Sequence, residues 1–523
     1  MKEKHKYGQY FTKAVVAEYM VSLISQPKDC RVLEPSCGEG VFLSKLKENG
    51  FSNYTAYEID TELAKTFANV QYKSFLSVPT DEKYDVVIGN PPYIRWKNLE
   101  DDLKKELAGN ALWNHYFNSL CDYLFIFILK SIEHLNEDGE LIFICSDYWM
   151  NSTHAASLRN YMVANGYFEK IFHFKEANLF EGVNASFVIF KYRKSCRKQP
   201  GDIRLLTYTE KSSPSLETLM QEASFIHETI PQFKQNERWL LATREMQDEL
   251  QWFESVCVKH SNLFGHELHR LGDVCDIGNG MVSGLDAAFH LDKETENHLN
   301  ELETKHSIQV LKAKNLSPYK YTETSRYIYM PSGVRQTELE QRYPHFAAQL
   351  EPYIDTLKHR YSYGRELPYW EFAFPRSKAL FERNEAKIFI PCKERISHKH
   401  YFRFCYAPTG FYPLQDVTAI VRKADCRESV EYILAYLNSR YVYDWLRHNG
   451  IVKGEIVEFS EAPLSSIPFR RIDWTNDYEV AIHDAITTDV HAYLTKDAVS
   501  AMKKIDNNIK RLLHDEHRLQ EIA

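Results

Sequence analysis

Between residues 31 and 193, six short apolar runs alternate with stretches of helical periodicity. The runs are RVLEPS, YTAYEID, YDVVIGN, ELIFICS, KIFHF and ASFVIFKY; the helical stretches are GVFLSKLKEN, TELAKTFA, SLCDYLFIFILKSIEHL and THAASLRNYMVANG. A run such as Val86-Val87-Ile88, apolar at every position, suits a strand covered on both faces. Strands of that kind separated by helices predict a doubly wound α/β sheet. Ligands of such sheets sit at the carboxyl ends of the strands, which is where Glu34, Glu58 and Asn90 fall.

The remainder of the chain reads differently. Around 194–202, KSCRKQPGD combines charge, proline and glycine and marks a boundary, so residues 1–200 are expected to form the first domain. Residues 201–262 show a weak strand pattern followed by a helical one and are expected to connect. From about 263 to 523 an aromatic-rich, irregular pattern predicts a mixed α/β domain. With 523 residues, of which 44% are hydrophobic and 26% charged, the chain can bury large cores. The longest apolar run, YLFIFIL, is far shorter than the ~20 residues a membrane helix needs. MKEKHKYGQYF lacks an apolar signal core, so a cytoplasmic protein without a membrane partner is expected. Ten scattered cysteines without a CxxC pair predict reduced thiols and no zinc site. The net charge of −8 argues against indiscriminate coating of nucleic acid, yet leaves room for a local basic cleft.

Three motifs carry chemistry. VLEPSCGEG (32–40) ends a strand in an acid and enters a helix through glycines, which allow close backbone approach and leave helix N-terminal amides available; an ordinary strand-to-helix turn is the alternative. GxGxxG and GxxxxGK[ST] are both missing, which counts against dinucleotide and triphosphate sites. AYEID ends the next strand with Glu58, whose carboxylate could accept from both hydroxyls of a ribose, or simply face solvent. NPPY, residues 90 to 93, holds an amide rigid at a strand end. The Asn90 carboxamide oxygen and the Pro91 carbonyl can each accept one hydrogen of an aromatic amine, and the restricted backbone of Pro91 and Pro92 presents them. Tyr93 would stack on the ring that carries the amine.

With these motifs in this order, residues 7 to 193 resemble the γ-class of N6-adenine DNA methyltransferases, the TaqI-like enzymes of restriction-modification systems. YGQYFTKAVVAEYMVSLI matches the motif before the sheet, VLEPSCGEG the cofactor loop, YEID the ribose acid and NPPY the catalytic motif; DYLFIFILKSIEHLNEDGELIFI and NLFEGVNASFVIFKY match later motifs. The resemblance implies a Rossmann-like methyltransferase sheet binding S-adenosyl-L-methionine, with no metal. It implies cofactor contacts from Tyr10, Phe11, Thr12, Glu34, Pro35, Gly38, Gly40, Glu58, Ile59, Phe75 and Phe127. Phe180 is implied to lie against a flipped adenine, opposite Tyr93. The chain departs from the family at Ser74-Phe75, where Asp-Phe is usual, which leaves the contact to the cofactor's adenine amine unassigned.

The C-terminal part resembles the family's target-recognition domain more loosely. Arg376, Lys378, Arg383, Lys387, Lys393, Arg395, Lys399 and Arg403 interleave there with Tyr and Phe, as phosphate contacts would; a solvated charged face is the alternative. The implied partners are double-stranded DNA and a cognate restriction endonuclease on a separate polypeptide, with the chain itself a monomer. Competing readings are an NPPY methyltransferase acting on RNA or on a protein glutamine, and a nucleic-acid binder with an inactive methyltransferase fold.

Overall fold

The computed structural model describes residues 10–63, 67, 69–180, 182–183, 185–195, 200–261, 268–361, 364–397, 399–496 and 500–514. Tyr7 to Gln9 of the first motif, residues 196–199 of the 194–202 boundary and the 262–263 boundary lie outside these residues. The chain divides into two compact units, Met1–Gln247 and Asp248–Ala523.

One nine-stranded sheet organises the first unit. Its strands are β1 (Val32–Glu34), β2 (Tyr54–Glu58), β3 (Val70–Tyr72), β4 (Tyr84–Gly89), β5 (Leu135–Ser146), β6 (Gly166–His173), β7 (Phe187–Lys194), β8 (Ile203–Tyr208) and β9 (Phe225–Ile230). Their spatial order is β3-β2-β1-β4-β5-β7-β6-β8-β9. The pairs from β3 to β5 are parallel, while β7 runs antiparallel to both β5 and β6. From β1 the chain goes one way to β2 and β3 and returns on the other side as β4. The loops after β1 and β4 therefore part and leave a crevice at their carboxyl ends.

The β4 run shows why the sheet is central. Val86, Val87 and Ile88 are completely buried, and they alternate between two cores. Val87 packs with Leu33, Leu141 and the helix Tyr123–Glu133 on one face. Val86 and Ile88 pack with Val32, Ile142 and the helices Ala14–Ser22 and Val41–Glu48 on the other. A strand apolar at every position is what two covered faces require.

Three departures from the sequence reading stand out. Residues 61–63 of the expected TELAKTFA helix form a turn, and 64–66 and 68 lie outside the described residues. The short edge strand β3 was not anticipated. Within 201–262, expected to connect, β8 pairs parallel with β6 and β9 antiparallel with β8, so this stretch extends the sheet. Apart from the exposed Arg204, IRLLTY is buried throughout, with Ile203 and Leu205 in one core and Leu206 and Tyr208 in the other. The division between the units falls within the helix Arg244–Ser261.

The second unit is mixed α and β: two four-stranded sheets, one three-stranded sheet, and helices that include Val430–Leu437, Asp477–Lys496 and Ser500–Leu513. Nine cysteines are free thiols; Cys196 lies outside the described residues. No helix among the described residues is long and apolar enough to cross a membrane.

Candidate active site

The loops after β1, β2 and β4 line a cleft at the carboxyl ends of the strands, where ligands of such sheets sit. Tyr10, Phe11, Pro35, Gly38, Glu58, Ile59, Phe75 and Phe127, all assigned to the cofactor from sequence, line it beside Asn90, Pro91 and Pro92. Ser36, Lys73, Ser74, Leu103 and Tyr123 complete the wall and were not singled out as ligand contacts. Tyr123 carried a usable signal. It stands four residues before Phe127, hence on the same helix face, and the two rings pack 5.2 Å apart.

Glu58, 5% exposed at the end of β2, anchors the loop after β1. Its Oε2 accepts from the Gly38 amide at 2.8 Å and its Oε1 from the Asp60 amide at 2.8 Å. Burial pushes its carboxyl above the ordinary range, and these amide bonds oppose the shift. The Ile59 amide also supports the carboxylate, and the acceptor capacity that remains is open to a ribose hydroxyl. The loop closes through Gly40, at φ 82°, where a Cβ would come within 2.5 Å of the Phe67 ring. Gly40 itself does not line the cleft; it caps the helix Val41–Glu48.

Glu34 lies outside the cleft lining. It is 1% exposed at the end of β1, and its Oε2 makes no hydrogen bond among the described residues. Burial first, and the neighbouring Glu58 charge second, raise its carboxyl well above the ordinary range. A buried acceptor left without a donor fits a polar ligand above it, so these residues are compatible with a nucleoside-bearing cofactor.

Asn90 uses most of its carboxamide on the protein itself. Its Nδ2 donates to the Tyr10 carbonyl at 2.7 Å and to Thr12 Oγ1 at 3.1 Å, which explains Thr12 as a support behind the cleft. The Tyr93 hydroxyl donates to Oδ1. Because Tyr10 offers only a carbonyl there, the amide is fixed with its nitrogen towards the N-terminal segment. One lone pair of Oδ1 remains for an incoming donor. Ser36 Oγ donates to the Asn90 carbonyl at 3.3 Å and steadies the backbone. Burial raises the Tyr93 phenol well above its usual value, so it stays a neutral donor.

One face of Tyr93 is covered. The Tyr10 ring stacks on it at 5.5 Å with a 26° interplanar angle, and meets Phe180 edge-on at 6.4 Å. Phe180 does not face an open slot. It is 3% exposed and packs against Phe187 at 4.7 Å. The side chain expected to lie against a flipped base is thus buried beside β7 in this structure.

The cations of the second unit are largely engaged within it. Arg403 and Lys399 both contact the fully buried Glu394, at 2.7 and 3.1 Å. Arg383 pairs with Asp276, Arg376 donates to the Gly280 carbonyl, and buried Lys387 donates to the Arg383 and Glu385 carbonyls. A buried carboxylate needs partners, so Lys399 and Arg403 have a structural use that the sequence pattern concealed. Lys378, Lys393 and Arg395 stay more exposed, the first two beside Glu382 and Glu458. Among the described residues no His, Cys, Asp and Glu groups of three or more are placed to hold a metal.

Comparison with known proteins agrees with this arrangement. Residues 38–180 match the model of the Eco57I restriction-modification methylase family. The chain is 44% identical to the type II methyltransferase M.HindII of Haemophilus influenzae and 42% identical to M.HincII of the same species, each alignment covering 98% of both proteins. A solved structure of the type IIL restriction-modification enzyme MmeI shares the fold, with a TM-score of 0.58 at 12% identity, covering 95% of this chain and 72% of that one. On its near full-length identity to these relatives, the chain belongs to the type II methyltransferases of restriction-modification systems.

Proposed function

We propose that this type II DNA methyltransferase transfers a methyl group to N6 of an adenine flipped out of a short duplex recognition sequence. The single observation that carries the reading is the Asn90 carboxamide: three of its four hydrogen-bonding positions are taken by Tyr10, Thr12 and Tyr93, and one acceptor lone pair is left at the cleft. That lone pair and the Pro91 carbonyl can hold the two hydrogens of an amine and turn its own lone pair outward as the nucleophile. A ring carbon or keto group offers no such donor pair; the cytosine N4 amine does, and adenine is preferred because the order of the motifs resembles that of the N6-adenine class.

S-adenosyl-L-methionine, when bound, supplies the electrophilic methyl group. Glu58 holds the ribose, and Ile59, Phe75 and Phe127 give the purine an apolar slot. The chain's contribution to rate is alignment, which can be worth ~7–11 kcal/mol when reacting atoms are held in near-attack geometry. Flipping costs a few kcal/mol, offset in part by stacking on Tyr93. The second unit is the target-recognition part, with Lys378, Lys393 and Arg395 as phosphate contacts. The methylation protects DNA from a cognate endonuclease on a separate polypeptide, and the enzyme acts as a cytoplasmic monomer.

Sequencing DNA from cells expressing the chain, with detection of modified bases, tests this directly. N6-methyladenine at one short sequence is the expected outcome. Methylcytosine, or label transferred from S-adenosyl-L-methionine to RNA or protein but not to duplex DNA, would overturn it.

A further inference from the structure

Ser74 stands where the related enzymes were expected to carry an acid, and its surroundings show what takes over. Its Oγ caps the turn Phe75–Ser77 by accepting from the Leu76 amide at 3.2 Å. Tyr123 lines the same cleft and is 3% exposed. Its backbone is held by a bond from its amide to the Ile94 carbonyl at 3.0 Å, and Ser74 lines the cleft beside it. Phe75 and Phe127, 5.5 Å apart, flank this pair with apolar rings.

Two hydroxyls bring two donors and four acceptor lone pairs. The Leu76 amide uses one lone pair of Ser74. Both O–H groups and three lone pairs are left for a ligand. An adenine edge presents an amine donor beside a ring-nitrogen acceptor and fits that remainder. A hypoxanthine edge, with a carbonyl beside a ring N–H, fits equally once the hydroxyls rotate. A carboxylate, being acceptor-only, could not make that exchange.

We propose that the Ser74–Tyr123 hydroxyl pair reads the amine-bearing edge of the cofactor's purine in place of a carboxylate, and that it tolerates a carbonyl at the same position. The proposal rests on the S-adenosyl-L-methionine reading above.

The test is calorimetric titration of the full chain with S-adenosyl-L-homocysteine and with S-inosyl-L-homocysteine. The wild type should bind the two within about fivefold of each other, the scale of one neutral hydrogen bond. Tyr123→Phe should weaken both ligands by about fivefold with melting temperature unchanged; Ser74→Ala should weaken both by as much and, having lost the cap on Leu76, melt slightly lower. Ser74→Asp keeps the cap on Leu76 and adds a carboxylate; it should favour the adenosyl ligand by at least about thirtyfold, since a site of fixed polarity rejects a mismatched edge. Rejection of the inosyl ligand by the wild type beyond about thirtyfold, or a Tyr123→Phe variant that binds both ligands as the wild type does, would overturn the proposal. Failure of the wild type to bind S-adenosyl-L-homocysteine at all would instead overturn the cofactor reading beneath it.

Discussion

Asn90 links the two halves of the cleft, and its removal should be felt in both. Asn90→Ala deletes the acceptor for the target amine, so turnover should fall at least ~100-fold, the scale of losing one preorganised hydrogen-bonding group at a reacting centre. Because Asn90 also ties down Tyr10 and Thr12, affinity for S-adenosyl-L-homocysteine should fall a few-fold as well. Single-turnover rates beside calorimetry measure the two effects; appreciable residual turnover would remove Asn90 from the chemistry. Glu58 predicts a different balance. Glu58→Ala removes the anchor of Gly38 and Asp60 together with the ribose acceptor, and cofactor binding should weaken by roughly 1.5–3 kcal/mol. Unaltered affinity would end the ribose assignment.

At the scale of elements, the central strands were legible because each is an uninterrupted apolar run, and the turns that follow carry residue types that few structural needs explain. β3, β8 and β9 were less legible. They are short or lie on the outer part of the sheet, where half-exposed residues such as Gln71, Arg204 and Glu228 dilute the pattern. The burial of Phe180 was not legible for a related reason: a phenylalanine in a loop reads alike whether it faces a ligand or a core. Most residues assigned to the cofactor from motifs line the cleft, whereas Lys73 and Leu103, which line it too, lie outside those motifs. The end of the helix Tyr123–Glu133 also has a pH signature. His134 is completely buried, its Nδ1 bonds the Glu82 carbonyl at 3.0 Å, and its ring packs on Phe75. Burial, with a smaller part from Lys130 and Lys83, lowers its pKa from 6.5 to about 4. The unfolded chain therefore takes up a proton that the folded chain refuses, so this contribution to stability is complete above pH 6.5 and is lost as pH falls towards 4. Between pH 7 and 5 it amounts to about 2 kcal/mol. Urea midpoints of His134→Gln should fall less than those of the wild type across that interval; parallel declines would show that other groups govern it.

At the scale of the whole molecule, 72 acidic residues outnumber 64 lysines and arginines, and many cations of the second unit are committed to its own carboxylates and carbonyls. DNA affinity should therefore divide among a few exposed cations. Lys393→Ala should lower the slope of log affinity against log salt by about one with little change in melting temperature. Arg403→Ala should lower the melting temperature, because Glu394 loses a partner in the interior, and leave the slope nearly intact. The reverse pattern would assign Arg403 to DNA. The stack of Tyr10 on Tyr93 has a consequence for what the enzyme ignores. A ring attached to the same chain competes for that face at a high effective concentration, whatever the amount of free ligand in solution. Adenine, adenosine and isolated nucleotides must displace it with one weak stacking contact, whereas a base delivered by a duplex gripped elsewhere arrives with a local concentration of its own. On the proposed function, Tyr10 would act as a tethered competitor that keeps the methyl donor from being spent on free adenine compounds. Tyr10→Ala should relax that exclusion, and methylation of free deoxyadenosine, measured by label transfer, should rise in the variant relative to the wild type.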